Sequence, residues 1–382
     1  MIYLDYAAAT PLSNKAKNAM LPYFDEKFFN PSAAYLPANE VRQDYEKAKG
    51  DIAHAIGAKA ADLVMTSGAT EANSLVFAAI PNDAEVLISA VEHPSIVENA
   101  KQKKMQTIAV DQNGRIDLED FRGKLTSKTQ LVSVCFASSE LGTIQPLSDI
   151  SRIIQEERTR RAFAGEDMPL YFHSDASQGL GLAELKVARL GVDLMTINAA
   201  KVYGPKGIGA LYVGRSVRLK PQSYGGGQEM GLRSGTENVP ATVAFAAAIL
   251  DADKHLGGER KRLAELRKKF KKLLAEQIDG IEFLSKEKVQ LPNFLPATIP
   301  GLDAERLIFA LEDKGVYLST GAACAASKGE KSPTLRAIGL NDDQIAGSLR
   351  ITLGRPTTEK DIELAAKAIA EVVAAERARL TK

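Results

Sequence analysis

Cysteine is scarce in this chain. Two residues in 382 are too few for a disulfide framework, so a reduced, cytoplasmic setting is expected. An excess of either charge is also missing: 49 basic residues stand against 48 acidic ones, which implies no general attraction to nucleic acid or to an acidic membrane. No apolar run is long enough to span a bilayer, and Met1-Ile2-Tyr3-Leu4-Asp5 meets a charge at once, unlike a signal peptide. There is no internal repeat and no low-complexity tract. What remains is a chain able to bury a large core and to form more than one domain.

Apolar runs of strand length alternate with helix-length segments from about residue 60 to 215. The candidate strands are Leu63–Thr66, Glu85–Ala90, Thr107–Val110, Gln130–Ala137, Leu170–Ser174, Leu194–Asn198 and Gly209–Val213. Helical patterns cover Glu71–Ala79, Pro94–Lys104 and Leu147–Arg161 between several of them. This alternation predicts an α/β fold with a seven-stranded, mostly parallel sheet covered on both faces. Arg260–Gln277 is rich in lysine and arginine, but Leu263, Leu266, Phe270, Leu273 and Leu274 form an apolar stripe at helical spacing. Its charges then read as the solvated face of a helix joining two domains. Short apolar runs and a final helix, Glu359–Arg379, follow and suit a smaller α+β domain.

Ligands in such sheets bind beyond the carboxyl ends of the strands. Two segments 26 positions apart (201 − 175) put chemistry there: Asp175-Ala176-Ser177-Gln178 and Lys201-Val202-Tyr203-Gly204-Pro205-Lys206-Gly207. A carboxylate and an amine at neighbouring strand ends suit pyridoxal 5'-phosphate (PLP), the lysine as Schiff base and the aspartate as partner of the pyridine nitrogen. A buried Asp–Lys pair that only closes the sheet is the plainer alternative. At the other end of the chain, Ser319-Thr320-Gly321-Ala322-Ala323-Cys324-Ala325-Ala326-Ser327 presents a cysteine among small residues. In isolation that reads equally as a surface loop with an incidental thiol.

Taken together the segments resemble the PLP-dependent cysteine desulfurases, in the class-V aminotransferase-like group. The resemblance runs through Tyr3-Leu4-Asp5-Tyr6-Ala7-Ala8-Ala9-Thr10-Pro11, Asn30-Pro31-Ser32, Thr66-Ser67-Gly68-Ala69-Thr70-Glu71-Ala72-Asn73 and Glu92-His93. It continues through Gly225-Gly226-Gly227-Gln228-Glu229, Arg233-Ser234-Gly235-Thr236-Glu237-Asn238, Leu291-Pro292-Asn293 and Leu349-Arg350-Ile351-Thr352-Leu353-Gly354-Arg355. It implies a fold-type I PLP-dependent transferase, with a large cofactor-binding domain over residues 13–257. Residues 1–12 and 258–382 would form the smaller domain that carries the cysteine loop.

By the same resemblance Lys201 forms the Schiff base and shuttles a proton, Lys206 being the rival, while Asp175 pairs with the pyridinium and Gln178 reaches the ring hydroxyl. His93 stacks on the ring and relays protons; His54, His173 and His255 are read as structural. Gly68, Ala69 and Thr70 lead into a helix whose free N–H groups suit the phosphate, although Ser-Gly before a helix is also an ordinary cap. Thr236 reaches the phosphate of a neighbouring subunit, which implies a homodimer. Cys324 is the sulfur acceptor, and its 12-position interval to Arg336 (336 − 324) resembles the long-loop branch of the family. Arg350 clamps the substrate carboxylate, with Ser139 and Asn30 on the substrate side. Arg355 and Cys135 are read as structural.

The expected activity is conversion of L-cysteine to L-alanine with a persulfide on Cys324. Sulfur-acceptor proteins of iron–sulfur assembly or of tRNA or cofactor thiolation are the implied partners; direct binding of nucleic acid or membrane and a metal site are not expected. The chain departs from the family in three places. Asn198-Ala199-Ala200-Lys201 replaces Ser-x-His-Lys, which removes two phosphate contacts of about 1.5–3 kcal/mol each, and Asn198 is the candidate replacement. Ser139 stands for an asparagine, and Tyr35 stands where a histidine is usual. The chain also stops soon after Glu359–Arg379, without the tail that docks a scaffold protein. Another PLP reaction, an aminotransferase or a selenocysteine lyase, and a non-catalytic homologue are the alternatives.

Overall fold

The computed structural model describes residues 1–321 and 331–381. Thirteen strands form three sheets among these residues. The largest uses β2 (Leu63–Thr66), β3 (Glu85–Ser89), β4 (Lys104–Ile108), β5 (Thr129–Ser133), β6 (Tyr171–Asp175), β7 (Leu194–Asn198) and β8 (Gly209–Val213). Their order across the sheet is β2-β8-β7-β6-β5-β3-β4. Every pairing from β7 to β4 is parallel, and β8 alone runs antiparallel to its neighbours β7 and β2. The mostly parallel seven-stranded sheet read from the sequence is therefore present.

Parallel strands need crossovers, and helices supply them: Ala69–Ala78, Pro94–Ala100 and Leu147–Ala164 join successive strands across the faces. Burial on both faces explains why the central strands read as unbroken apolar runs. Leu194, Met195 and Ile197 are wholly buried, as are Val86 and Phe172. β4 differs. Only Ile108 of its five residues is buried, because β4 is the sheet edge, and it begins at Lys104, where the sequence pattern had continued the preceding helix. That helix stops at Ala100.

One core lies between the sheet and the helices Leu36–Ala55, Leu147–Ala164 and the first half of Val239–Gln277. A second gathers Leu263, Phe270 and Leu274 with Ile351, Ile362 and Ile369 around β10 (Phe294–Thr298) and β13 (Ser348–Thr352). Those strands pair antiparallel in the sheet β12-β13-β10-β9, completed by β9 (Glu282–Phe283) and β12 (Ser319–Thr320). The helix expected over 260–277 begins at Val239 and runs 39 residues without a break, one half in each core. Ile2 and Leu4 join the second core, where β1 (Ile2–Tyr3) pairs parallel with β11 (Val316–Tyr317), whereas Ala7 and Leu12 pack against the first. The last helix, Glu359–Leu380, opens on a capping box between Thr358 and Asp361.

Candidate active site

Beyond the carboxyl ends of β6 and β7 lies a cavity of ≈ 190 Å³. Eight of the site residues expected from sequence line it: Ala69, Thr70, His93, Ser139, Asp175, Gln178, Asn198 and Lys201. Asp175 ends β6 and Asn198 ends β7, so the parallel register itself brings them together; Asp175 pairs with Thr196, two residues before Asn198.

Asp175 is held from two sides. Its Oδ2 accepts from Asn73 Nδ2 at 2.9 Å, and its Oδ1 from the Ser177 amide at 3.0 Å. Lys201 Nζ donates to the carbonyls of Ala7 at 2.7 Å and Ala8 at 2.6 Å, while Gln178 Nε2 donates to the Ala7 carbonyl at 3.1 Å. Lys206, the rival lysine, donates to the Thr10 carbonyl at 3.0 Å and is absent from the cavity wall. A tight N-terminal turn, in which the amides of Ala8 and Ala9 return to the Asp5 carbonyl, therefore roofs two site residues.

The same turn reaches Arg350. The Asp5 carboxylate accepts from Arg350 Nη2 at 2.8 Å, and Nη1 donates to the Ser139 carbonyl at 3.1 Å. Burial pushes the Asp5 carboxyl above its usual range, an effect that the Arg350 guanidinium only partly offsets. Arg350 Nε is buried with no partner.

The phosphate end is built by backbone. Gly68, at φ +154°, turns the chain from β2 into the helix Ala69–Ala78, whose first-turn Glu71 accepts from the Ser67 amide at 2.6 Å. A side chain at Gly209 would meet Gly68 Cα at 2.8 Å, so glycine there lets β8 pack directly under the turn. Asn198 Oδ1 is taken by the Ala200 amide at 3.1 Å, which leaves its Nδ2 as what it can offer a phosphate. Ser177 Oγ, buried and unpartnered, lies on a residue of the same wall. An amine, a carboxylate, an open helix start and an unfilled hydroxyl fit PLP, with fewer side-chain donors for the phosphate than the family pattern supplies.

His93 faces the open cavity and is solvent-exposed on that side, yet protein surrounds the rest of the ring, and this burial holds its pKa below the ordinary histidine range. Behind it Glu92 is buried. Its Oε1 accepts from the Cys135 amide at 2.6 Å, and burial pushes its carboxyl far up. Cys135, read from sequence as a small core residue, is buried and also lines the cavity; burial raises its thiol pKa, so it is an inert wall.

Four described residues of the sequence reading are off the cavity wall: Gly68, Arg350, Asn30 and Thr236. Asn30 is exposed and accepts from the Ser32 amide at 2.9 Å. Thr236 is exposed on a loop anchored by Glu229, whose carboxylate accepts from Lys49 at 2.9 Å, from the Met65 amide at 2.7 Å and from the Tyr45 hydroxyl. Cys324 lies outside the described residues. Where the chain resumes, Ser332 Oγ caps the helix Pro333–Ala337 and donates to Glu140 Oε2 at 2.5 Å. Burial lifts the Glu140 carboxyl to about 7.

Sequence reasoning quoted Asp5, Asn73 and Glu92 inside motifs but gave them no task, and it gave none to Ser95 or Glu140. Their partners lie 22 to 345 positions away, and no local signal marks such contacts. Among the described residues no cluster of three or more His, Cys, Asp or Glu could hold a metal ion, and no helix is long and apolar enough to cross a membrane.

A lysine and a carboxylate at adjacent strand ends of such a sheet, facing an open helix start, define a pyridoxal-phosphate enzyme. The chain belongs to the aminotransferase class-V family, whose model matches residues 2–364, and to the cysteine desulfurases within it. It is 38% identical over 379 residues to cysteine desulfurase IscS 1 of Archaeoglobus fulgidus, covering 95% of this chain and 94% of the relative. The NifS-like protein of Rickettsia africae superposes with a TM-score of 0.88 at 29% identity, covering 98% of this chain and 99% of that one. A structure described as SspA in complex with cysteine gives 0.79 at 28% identity over 92% of this chain and 99% of that one.

Proposed function

We propose that this chain converts L-cysteine to L-alanine, and that Cys324 takes the sulfur as a persulfide for an acceptor protein. The cavity that joins Lys201, Asp175, Gln178 and His93 carries this reading, together with relatives named as cysteine desulfurases and one solved with cysteine. When bound, PLP draws electrons from the substrate Cα and so weakens the bonds around it. Lys201, Asp175, Gln178, His93, Asn198 and the Gly68–Thr70 turn would hold it. Lys201 moves the proton at Nζ, and the Ala7 and Ala8 carbonyls are the acceptors that hold the amine when it is charged. Arg350 binds the substrate carboxylate in this reading, beside Ser139, whose carbonyl it holds; Asn30, off the cavity wall, is the third expected substrate contact. The sulfur leaves its carbon, joins Cys324 Sγ, and passes on to iron–sulfur assembly or to thiolation of tRNA or a cofactor.

The working unit in this reading is a cytoplasmic homodimer, with Thr236 serving the neighbouring subunit's phosphate. Exposed apolar side chains support it: Phe24 at 62%, Phe28 at 66% and Leu36 at 71% exposure crowd into 13 residues, more than a lone subunit hides comfortably. Residues 13–257 form the cofactor domain, and 1–12 with 258–382 form the smaller one. The decisive experiment is sulfide release from L-cysteine with PLP and a reductant, comparing the wild type with Cys324→Ser. Loss of release with retained cofactor absorbance is expected. Equal release in both would remove Cys324 as the acceptor and point to another PLP reaction.

A further inference from the structure

Behind the cavity a chain of hydrogen bonds joins Asp175 to His93 through two residues that carry no assigned role. Asn73 Nδ2 donates at 2.9 Å to Asp175 Oδ2 and at 2.9 Å to Ser95 Oγ. Ser95 Oγ lies 2.8 Å from His93 Nδ1, and the Ser95 amide donates to that nitrogen at 3.1 Å. Asn73 is wholly buried and Ser95 is buried, so water does not compete for these groups.

Elementary rules fix every hydrogen in the chain. A carboxylate only accepts, so the Asn73 atom beside Asp175 is the amide nitrogen, and its second hydrogen goes to Ser95 Oγ. With that oxygen already accepting, the Ser95 hydroxyl hydrogen is free for His93 Nδ1. The backbone N–H of Ser95 cannot rotate away, so Nδ1 meets a fixed donor whatever the hydroxyl does. Nδ1 is thus an acceptor, and the ring hydrogen sits on Nε2.

We infer that Asn73 and Ser95 are positioning residues that lock His93 in the Nε2–H form, so that it enters the reaction as a hydrogen-bond donor at Nε2, oriented from the same amide that holds Asp175. This deepens the proposed function and rests on His93 acting at the cofactor. Around the ring, Asp175 favours the charged imidazolium, whereas Lys201, Arg350 and burial oppose it, and Glu92 is buried at the adjacent position. The fixed amide acts in the second direction, because an imidazolium would turn an N–H against it.

The test is nitrogen NMR of the full-length, cofactor-loaded protein labelled at histidine. The chain has four histidines, and His93→Gln assigns the signal of interest. The wild type should show the hydrogen on Nε2 at neutral pH. Ser95→Ala keeps the amide, so the hydrogen should stay on Nε2 while loss of the hydroxyl donor shifts the ring's titration upward, and Ser95→Thr should restore it; Ser95→Pro, which removes the amide hydrogen as well, should admit the Nδ1–H form. Sulfide release in the same proteins should fall in kcat about tenfold for Ser95→Ala with KM little changed, the scale of one lost hydrogen bond. A wild-type hydrogen on Nδ1, a titration unmoved by Ser95→Ala, or a tautomer ratio unmoved by Ser95→Pro overturns the inference. A changed tautomer with unchanged kcat also overturns it, since Ser95 would then position nothing of consequence. If no variant or wild type releases sulfide, the NMR result still decides the lock, and the proposed function alone has failed.

Discussion

Glu140 offers a quantitative prediction. Its carboxyl is lifted from the ordinary 4.5 to about 7, chiefly by burial, although Ser332 donates to it. A raised carboxyl pKa means that the native state keeps a proton that the unfolded chain releases. This contribution to stability is therefore fully present below pH 4.5 and is lost as pH rises through about 7. A gap of about 2.5 pH units, at roughly 1.36 kcal/mol each, gives a loss on the order of 3 kcal/mol by pH 8. Glu140→Gln is the clean perturbation, since the amide oxygen still accepts from Ser332 and nothing titrates. Urea denaturation of both proteins from pH 5 to 8 is the assay. The variant should gain on the wild type as pH rises, by up to about 3 kcal/mol over that range. Parallel curves would refute the argument and would mean that Glu140 titrates like an exposed carboxyl.

Lys201→Ala should purify without the cofactor's visible absorbance, whereas Lys206→Ala, off the cavity wall, should keep it; the reverse result would exchange the two lysines. Glu229→Ala strands the buried Lys49 ammonium and the Met65 amide, so a loss of about 3–5 kcal/mol is expected in denaturant titration, and a loss below about 1 kcal/mol would show that the anchor is unimportant. His93→Gln should lower kcat by about 10²- to 10⁴-fold in sulfide release if it serves as an acid–base group. Because burial depresses the His93 pKa, the acid limb that it causes in the wild-type profile should fall below the usual histidine range, and a limb at that range or above would assign it elsewhere.

The chemistry was legible where it coincides with the end of an apolar run. Asp175 and Lys201 follow strands buried on both faces, so a carboxylate and an amine stood out against them. Edges were harder. Lys104–Ile108 is largely solvated and shows no alternation, so the sequence pattern starts the strand only at Thr107 and gives Lys104 to the preceding helix. Gly257 and Gly258 look like a stop, yet the helix runs through them, because packing in two cores outweighs a propensity cost of about 1 kcal/mol each. Val134–Ala137 were read as strand; the ladder ends at Ser133, although the amides of Val134 and Phe136 still reach the carbonyls of His173 and Asp175. The shell behind the site was illegible for a plainer reason. A contact such as Asn73 to Asp175 joins motifs 102 positions apart, and either motif alone reads as a cap or a turn.

The roof of the site belongs to the first nine residues, and its supports belong to the last seventy: Ile2 pairs with Val316, Asp5 bridges to Thr352, and the Asp5 carboxylate grips Arg350. During synthesis residues 2–5 therefore have nowhere to dock until residues 316–352 have been made. A chain cut before residue 316 keeps Asp175 and Lys201 but loses the strand and the guanidinium that hold the N-terminal turn over them. The cover over Lys201 and Gln178 is thus among the last parts of this site to close.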